Sequence, residues 1–173
     1  MGKRSNFDRN PRDYYPTPEA AVIPLLPYLP PETHFIEPCA GDGRLVRHLE
    51  KFGHRCGYAC DIEPQADGID TRDILFFGNR LPETEMIITN PPWERETLHA
   101  MIDALRVQAP TWLLFDADWM HTAKAAPYLP YCQRIVTVGR VSWMENGTSG
   151  MDNCCWYLFG ADTCATVFSG RAA

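Results

Sequence analysis

The chain has 173 residues, of which 45% are hydrophobic, and its formal net charge is −6. This length provides one sizeable core, and no apolar run approaches the ~18 residues of a membrane helix. The seven cysteines and five histidines show no zinc-ligand spacing, and the first residues have no apolar leader. We therefore expect no bound metal, reduced thiols and a cytoplasmic location.

The first twelve residues are predicted to form a flexible basic arm. This segment contains one acid, Asp8, and four cations, Lys3, Arg4, Arg9 and Arg12, although the chain is acidic overall. Such a segment either folds onto phosphate groups or serves as a solubilising tail. Phosphate binding favours a basic surface, so the acidic balance of the rest of the chain makes this arm the expected place for it.

A short helix is predicted to follow the arm. Thr17 is placed to cap it, Pro18 suits its first position, and Pro24 and Pro27 are expected to break or kink it.

A strand near 33–37 leads into a glycine-rich turn and then a helix. Small residues at Ala40, Gly41 and Gly43 allow a ligand to approach the backbone closely. A dinucleotide site needs a third glycine where this chain has Val46, and no Gly-Lys-Ser/Thr follows as in a P-loop. The acidic Glu37 would repel a pyrophosphate but offset the charge of a cationic cofactor.

Two acidic residues follow at the ends of later apolar runs. Asp61 ends the next predicted strand, 18 positions after Gly43, which is the spacing of an acid that binds ribose hydroxyls in Rossmann-like sites. Asp73 can accept from an adenine amino group, with Ile62 and Ile74 on the two faces of the ring. Each Asp also suits a helix cap or a solvated turn.

The apolar run 86–89 ends in Asn90-Pro91-Pro92-Trp93. The prolines fix φ and lack N–H groups, so the backbone carbonyls here point in a rigid direction. An Asn oxygen and such a carbonyl together can accept both hydrogens of an exocyclic amine, while Trp93 can stack on the ring that carries it. The tetrapeptide also suits a simple Pro-Pro loop with a packed Trp.

The rest of the chain continues the alternation of strands and helices. Further strands are predicted near 73–76, 85–90, 111–116, 133–138 and 153–160, and helices near 94–107 and from Trp119 onward. Asp116 and Asp118 are expected to cap the latter helix. The last two strands are predicted to form an antiparallel hairpin.

In this order the motifs resemble the class I S-adenosylmethionine-dependent methyltransferases, and among them the amino-methyltransferases of DNA adenine N6. The resemblance covers about residues 12–160 and implies an α/β fold with a Rossmann-like, mostly parallel seven-stranded sheet, helices on both faces and a C-terminal antiparallel hairpin. It implies one methyltransferase domain over 13–173. It implies catalytic residues at Asn90, Pro91, Pro92 and Trp93, and S-adenosyl-L-methionine contacts from Tyr15, Thr17, Glu37, Pro38, Ala40, Gly41, Gly43, Asp61, Ile62, Asp73, Ile74 and Asn90.

The implied partner is DNA, with the target adenine flipped out of the duplex. Trp93 replaces a commoner Tyr of the family, and no target-recognition domain is evident, as in a minimal phage-type enzyme acting as a monomer or homodimer. Three alternatives stay open: methylation of an RNA base amine, methylation of a protein glutamine amide, and a non-catalytic cofactor-binding subunit. A nucleotide-dependent oxidoreductase is disfavoured by the missing third glycine.

Overall fold

The structure is a computed structural model, and it describes residues 14–75, 81–143, 150 and 152–170. The predicted arm over residues 1–12 lies outside the described residues. The described α-helices are α1 Glu19–Val22, α2 Arg44–Lys51 and α3 Arg95–Leu105, and α1 continues as a 3₁₀ helix over Ile23–Tyr28, which contains Pro24 and Pro27. The described strands are β1 His34–Glu37, β2 Arg55–Asp61, β3 Asp70–Thr71, β4 Met86–Thr89, β5 Thr111–Asp116, β6 Cys132–Gly139, β7 Cys154–Phe159 and β8 Val167–Ser169.

The strands form one mostly parallel sheet in the order β3-β2-β1-β4-β5-β7-β6-β8. Only β7 runs antiparallel to its neighbours, and β6 and β7 form the closing hairpin. The chain order reverses between β1 and β4, which are adjacent and parallel. In open α/β sheets, ligands bind in the crevice beyond the carboxyl ends of the strands at such a switch point.

Hydrophobic residues cover both faces of the sheet because side chains alternate along each strand. On one face, Ile87 of β4 packs in a core with Leu98 and Ile102 of α3. On the other face, the neighbouring Ile88 packs in a core with residues of α1 and α2, including Leu45. These cores confirm the prediction of a Rossmann-like sheet with helices on both faces and a C-terminal antiparallel hairpin.

Three details differ from the sequence prediction. The third strand lies at Asp70–Thr71 instead of 73–76, because Asp73 accepts a hydrogen bond from the N–H of Leu75 at 2.9 Å and forms a turn there. An eighth short strand, β8, pairs parallel with β6 beyond the seven expected.

The helix predicted from Trp119 onward is replaced by three short 3₁₀ segments, Ala117–His121, Ala123–Ala125 and Leu129–Tyr131. Pro127 and Pro130 prevent a continuous helix there. Asp116 caps the first segment by accepting from the N–H of Asp118 at 2.9 Å, as predicted for Asp116.

Candidate cofactor and acceptor site

A cavity of about 550 Å³ opens at the carboxyl ends of β1, β2 and β4. This volume lies within the range of about 300–1,000 Å³ typical of small-molecule sites. Residues predicted from the sequence that line it are Tyr15, Thr17, Glu37, Pro38, Ala40, Gly41, Asp61, Ile62, Asp73, Ile74, Asn90 and Pro92. Three other predicted site residues among those that the structure describes, Gly43, Pro91 and Trp93, do not line the cavity.

The glycine turn after β1 is held from the end of β2. Oδ2 of Asp61 accepts a hydrogen bond from the N–H of Gly41 at 2.8 Å, and its Oδ1 accepts from the N–H of Glu63 at 2.8 Å. Gly41 and Gly43 have φ of 54° and 73°, a region that glycine enters without steric cost. Gly43 is therefore required for the entry into α2, where it is the N-cap residue, and not for the cavity wall.

Glu37 at the end of β1 is a buried carboxyl facing the cavity. The residue is 1% exposed, and among the described residues its Oε2 has no hydrogen-bond partner. Burial, and next the nearby charge of Asp61, raise the pKa of Glu37 well above its usual range. A buried carboxylate with one unpaired oxygen is costly, so a positive charge placed in the cavity would lower the free energy of its ionised form.

The far end of the cavity is partly apolar. Ile62 is 51% exposed although it is a large hydrophobic residue, whereas Ile74 is buried. Asp73 beside Ile74 also lines the cavity, and its Oδ1 accepts from the N–H of Leu75. Two isoleucines and a carboxylate in one cavity wall are the residue types expected for a flat heterocycle that bears an amino group.

The segment before α1 forms another wall of the cavity. The Tyr14 ring packs directly against Gly41, so closely that a Cβ added to Gly41 would lie 2.6 Å from Cε2 of Tyr14. Burial, followed by the charge of Asp42, raises the pKa of Tyr14. The predicted site residues include Tyr15 of this segment but not Tyr14, because its contact with a glycine more than twenty residues later leaves no local sequence pattern.

The carboxamide of Asn90 is held on both sides. Its Nδ2 donates to the carbonyl of Tyr15 at 3.3 Å and to Oγ1 of Thr17 at 3.2 Å. Its Oδ1 accepts from the indole N–H of Trp93 at 3.2 Å. Thr17 was predicted to cap α1, but Pro18 is the N-cap residue and makes no side-chain cap bond. The hydroxyl of Thr17 instead accepts a hydrogen bond from Nδ2 of Asn90.

These contacts decide which way the amide points. The two hydrogens of Nδ2 have acceptors in Tyr15 and Thr17, and the turned-over amide would instead set its oxygen against the Tyr15 carbonyl and its NH2 against the Trp93 N–H. Each buried polar group left unpaired costs about 1–3 kcal/mol, so the observed orientation is strongly favoured. Only Oδ1 keeps free hydrogen-bonding capacity, and it is an acceptor.

The exit from the Asn90–Trp93 loop is fixed by charged groups. Glu94 caps α3 by accepting from the N–H groups of Glu96 and Thr97 at 3.0 and 2.9 Å, and these bonds lower its pKa. Arg95 then donates to Oδ2 of Asp116 at the end of β5, at 2.6 Å. The chain is thus anchored to the neighbouring strand two residues after the loop ends at Trp93.

Several cavity residues lie outside the sequence prediction. Thr97 and Met101 of α3 line the cavity four positions apart, on one side of the helix. Met101 is 2% exposed and also belongs to the hydrophobic core. Cys39 lines the cavity as well, and burial raises the pKa of its thiol well above the usual range. Their spacing predicts that Thr97 and Met101 lie on the same face of a helix, but it does not predict that a cavity opens at this face.

No protein-family model and no curated protein sequence matches the chain. Solved structures do match it in shape. A candidate RNA methyltransferase from Pyrococcus horikoshii superposes with a TM-score of 0.61 at 12% identity, covering 94% of both chains. A modification subunit of a candidate type I restriction enzyme from Vibrio vulnificus gives 0.59 at 11% identity, covering 92% of this chain and 47% of that one.

A dimethyladenosine transferase from Plasmodium falciparum gives a TM-score of 0.55 at 11% identity, and the overlap covers 84% of this chain and 62% of that one. The chain therefore shares the Rossmann-like fold of these methyltransferase structures. S-adenosyl-L-methionine is the cofactor expected of this fold. The cavity fits it, because the unpaired Oε2 of Glu37 suits its positive charge and the apolar side chains of Ile62 and Ile74 in the cavity wall suit its adenine.

Over the described parts of the chain, no group of three or more His, Cys, Asp or Glu side chains is arranged to hold a metal ion. None of the described helices is long and apolar enough to cross a membrane.

Proposed function

We propose that the protein is an S-adenosylmethionine-dependent methyltransferase that methylates the exocyclic N6 amine of adenine in DNA, acting in the cytoplasm. One observation carries the proposal. Both N–H groups of the Asn90 amide donate hydrogen bonds to Tyr15 and Thr17, so only the amide oxygen can bind a substrate group. A target group that meets this oxygen must donate a hydrogen bond, as an amine does and a carbonyl oxygen or ring nitrogen acceptor does not.

Each part of the cavity has a separate task under this proposal. Asp61 would hold the ribose hydroxyls, Asp73 would accept from the adenine amino group, and Ile62 with Ile74 would enclose the ring. Tyr15 and Thr17 would line the end that holds the amino acid portion, and Glu37 would offset the positive charge. When bound, the cofactor supplies an electrophilic methyl group on a sulfonium.

The chain's own residues would then prepare the target amine. Its lone pair is delocalised into the ring, so the nitrogen is a weak nucleophile. Hydrogen bonds donated to Oδ1 of Asn90 and to the carbonyl of Pro91 would favour a pyramidal, more nucleophilic nitrogen. The main contribution is alignment, with reacting atoms about 3–3.5 Å apart. A base in duplex DNA must be flipped out, at a cost of a few kcal/mol.

The solved structures of similar shape support a nucleic-acid substrate at the level of analogy. One is a modification subunit of a restriction enzyme and another a dimethyladenosine transferase. The candidate RNA methyltransferase supports RNA as a second substrate. Binding of DNA or RNA also needs cations to contact phosphates, and many described cations are already paired with acids. The pairs are Arg44 and Arg47 with Asp42, Lys51 with Glu19, Arg55 with Glu32, Arg95 with Asp116, and Arg106 with Asp103.

The test is methylation of DNA, RNA and protein pools with labelled cofactor, followed by digestion to nucleosides or amino acids and mass spectrometry. The parent is expected to give N6-methyl-2′-deoxyadenosine. Asn90→Ala is expected to give no methylated product but should still bind the cofactor. Gln108→Ala is the matched control. Gln108 is also an amide that bridges two backbone groups, Leu81 and Ala104, but it does not line the cavity.

The outcomes separate the alternatives. Product only in RNA or only in glutamine residues would replace DNA adenine as the substrate. Cofactor binding without turnover on any pool would indicate a binding subunit. Near-parent single-turnover rates for Asn90→Ala would remove Asn90 from the reaction.

A further inference from the structure

The side chain of Trp93 is built into the protein instead of facing the cavity. Its half-buried ring contacts both hydrophobic cores and meets Trp143 in a T-shaped contact, with ring centroids 5.6 Å apart. Trp93 is not among the described residues that line the cavity. The wall of this cavity therefore does not account for where the ring lies.

The polar edge of the ring makes a specific pair of contacts. The indole N–H of Trp93 lies 3.2 Å from Oδ1 of Asn90 and 3.2 Å from the carbonyl oxygen of Leu114. Leu114 is a fully buried residue of β5, directly after the last pair between β4 and β5. The sheet thus fixes one acceptor of the N–H, and the other acceptor is the amide of Asn90.

Of the three groups around this amide, one can only donate and one can only accept. The carbonyl of Tyr15 accepts, the N–H of Trp93 donates, and the hydroxyl of Thr17 can do either. The direction of the amide therefore depends on Tyr15 at one end and on Trp93 at the other. Phenylalanine has no donor, and the hydroxyl of tyrosine projects from the ring tip rather than from the ring edge. The departure from the commoner Tyr at this position thus has a physical consequence.

We propose that Trp93 is a positioning residue that acts through Asn90: its indole N–H, anchored on β5, keeps Oδ1 of Asn90 turned to receive the target amine. The inference rests on the proposed function and deepens it. Trp93 takes one of the two lone pairs of Oδ1 and leaves one for the amine. The two bonds donated by Nδ2 polarise the amide and strengthen that remaining acceptor.

The test compares loss of the N–H with loss of the ring. Trp93→Phe keeps an aromatic ring and removes the donor. Its kcat is expected to fall about tenfold, the rate equivalent of one hydrogen bond, while KM for DNA and the cofactor Kd stay within about twofold. Replacement of Trp93 by benzothienylalanine, which has the indole shape without the N–H, should give the same drop. A residue that only stacks would show the reverse split, with a raised KM and an unchanged kcat.

Trp112→Phe is the matched control. Trp112 is a buried indole of β5 whose N–H has no partner among the described residues, so the variant loses ring volume without losing a hydrogen bond. Its kcat should stay near that of the parent even if its melting temperature falls. Equal kcat values for the parent and Trp93→Phe, or a defect in KM alone, would overturn the proposal.

A second readout does not depend on turnover. In ¹⁵N-edited spectra of the full chain, Asn90→Ala should shift the indole N–H resonance of Trp93, and Trp93→Phe should speed hydrogen exchange of the Asn90 side-chain amide. Unchanged Asn90 resonances in Trp93→Phe would overturn the positioning role even if the parent methylated nothing. An inactive parent with these shifts would instead overturn the proposed function and leave the positioning role supported.

Discussion

Oδ2 of Asp61, at the end of β2, accepts a hydrogen bond from the backbone N–H of Gly41 at 2.8 Å, across the mouth of the cavity. The acid assigned to the ribose thus also fixes the glycine turn before any ligand binds. Its second oxygen, Oδ1, is turned to the N–H of Glu63. A carboxylate can accept about four hydrogen bonds, so acceptor capacity remains for two hydroxyl groups.

Asp61→Ala should weaken cofactor binding by about 1–3 kcal/mol, the cost of losing charge-assisted hydrogen bonds. Asp61→Asn keeps an acceptor but loses the charge, so its affinity should lie between those of the parent and the alanine variant. Titration calorimetry measures both. Asp67→Ala is the control, because Asp67 is an exposed acid of the same connection that does not line the cavity. An unchanged affinity in Asp61→Ala would exclude Asp61 from the site.

A pair of glycines tests the contact between Tyr14 and the turn. Gly41 and Gly68 have φ of 54° and 82°, so alanine at either position is strained by about 1–2 kcal/mol. An added Cβ at Gly68 meets open space, whereas at Gly41 it collides with Tyr14. Both variants should lose stability in denaturant titrations, but only Gly41→Ala should also lose cofactor affinity. Equal affinities would show that the Tyr14 wall is not part of the binding site.

The sequence predicted the fold well where hydrophobic alternation and strand ends agree. β5 was predicted at 111–116 and lies at Thr111–Asp116, because an apolar run bounded by polar residues leaves little choice of ends. The prediction of β3 near 73–76 was wrong, since Asp73 forms a turn with Leu75 that competes with an extended backbone. Local propensity could not predict that the edge strand is formed instead by Asp70 and Thr71, which precede this turn and pair with β2.

Side-chain partners were harder to predict than strand ends. Thr17 followed by Pro18 has the pattern of a helix start, yet its hydroxyl lies beside Asn90, 73 residues later in the chain. Trp93 was predicted to be a stacking surface, a role that no observation tests, and its ring edge faces Asn90 and Leu114. Both outcomes depend on which loops meet at the switch point between β1 and β4. That meeting is a property of the topology and not of either local segment.

The raised pKa of Glu37 predicts how stability varies with pH. Its pKa is higher in the folded state than in the unfolded chain, where a glutamate titrates near ~4.3. The stabilisation from the protonated carboxyl is therefore complete below about pH 4 and is lost as the pH rises towards the folded pKa. Glu37→Gln should abolish this loss, so the two proteins should be matched near pH 4 and the variant should be the more stable of the two at pH 8.

A cationic cofactor should reverse the sense of this effect, because it favours the ionised Glu37. Affinity of the parent for S-adenosylmethionine should rise with pH, and that of Glu37→Gln should not. Thermal unfolding with and without cofactor at pH 5 and pH 8 measures both effects. A parallel pH dependence of affinity in the two proteins would mean that Glu37 does not interact with the cofactor charge.

The last prediction concerns the basic arm. Many cations of the described surface are paired with acids, whereas Lys3, Arg4 and Arg9 lie in a stretch with a single acid. Deleting residues 1–11 should weaken DNA binding and reduce the slope of log K against log salt by up to about 3, since each neutralised phosphate contributes roughly 0.9. Cofactor affinity should stay unchanged. Binding isotherms at several salt concentrations measure the slope.

Two controls separate charge from length. Replacing Lys3, Arg4 and Arg9 by Gln keeps the arm and should reduce the slope as much as the deletion does. Removing residues 171–173 takes away one cation, Arg171, and should change the slope by no more than about 1. If the deletion reduces affinity but the Gln variant does not, the arm contributes through its length or its uncharged residues. Equal slopes for the parent and the deletion would make the arm a passive tail, and the phosphate contacts would then have to come from the remaining cations of the domain.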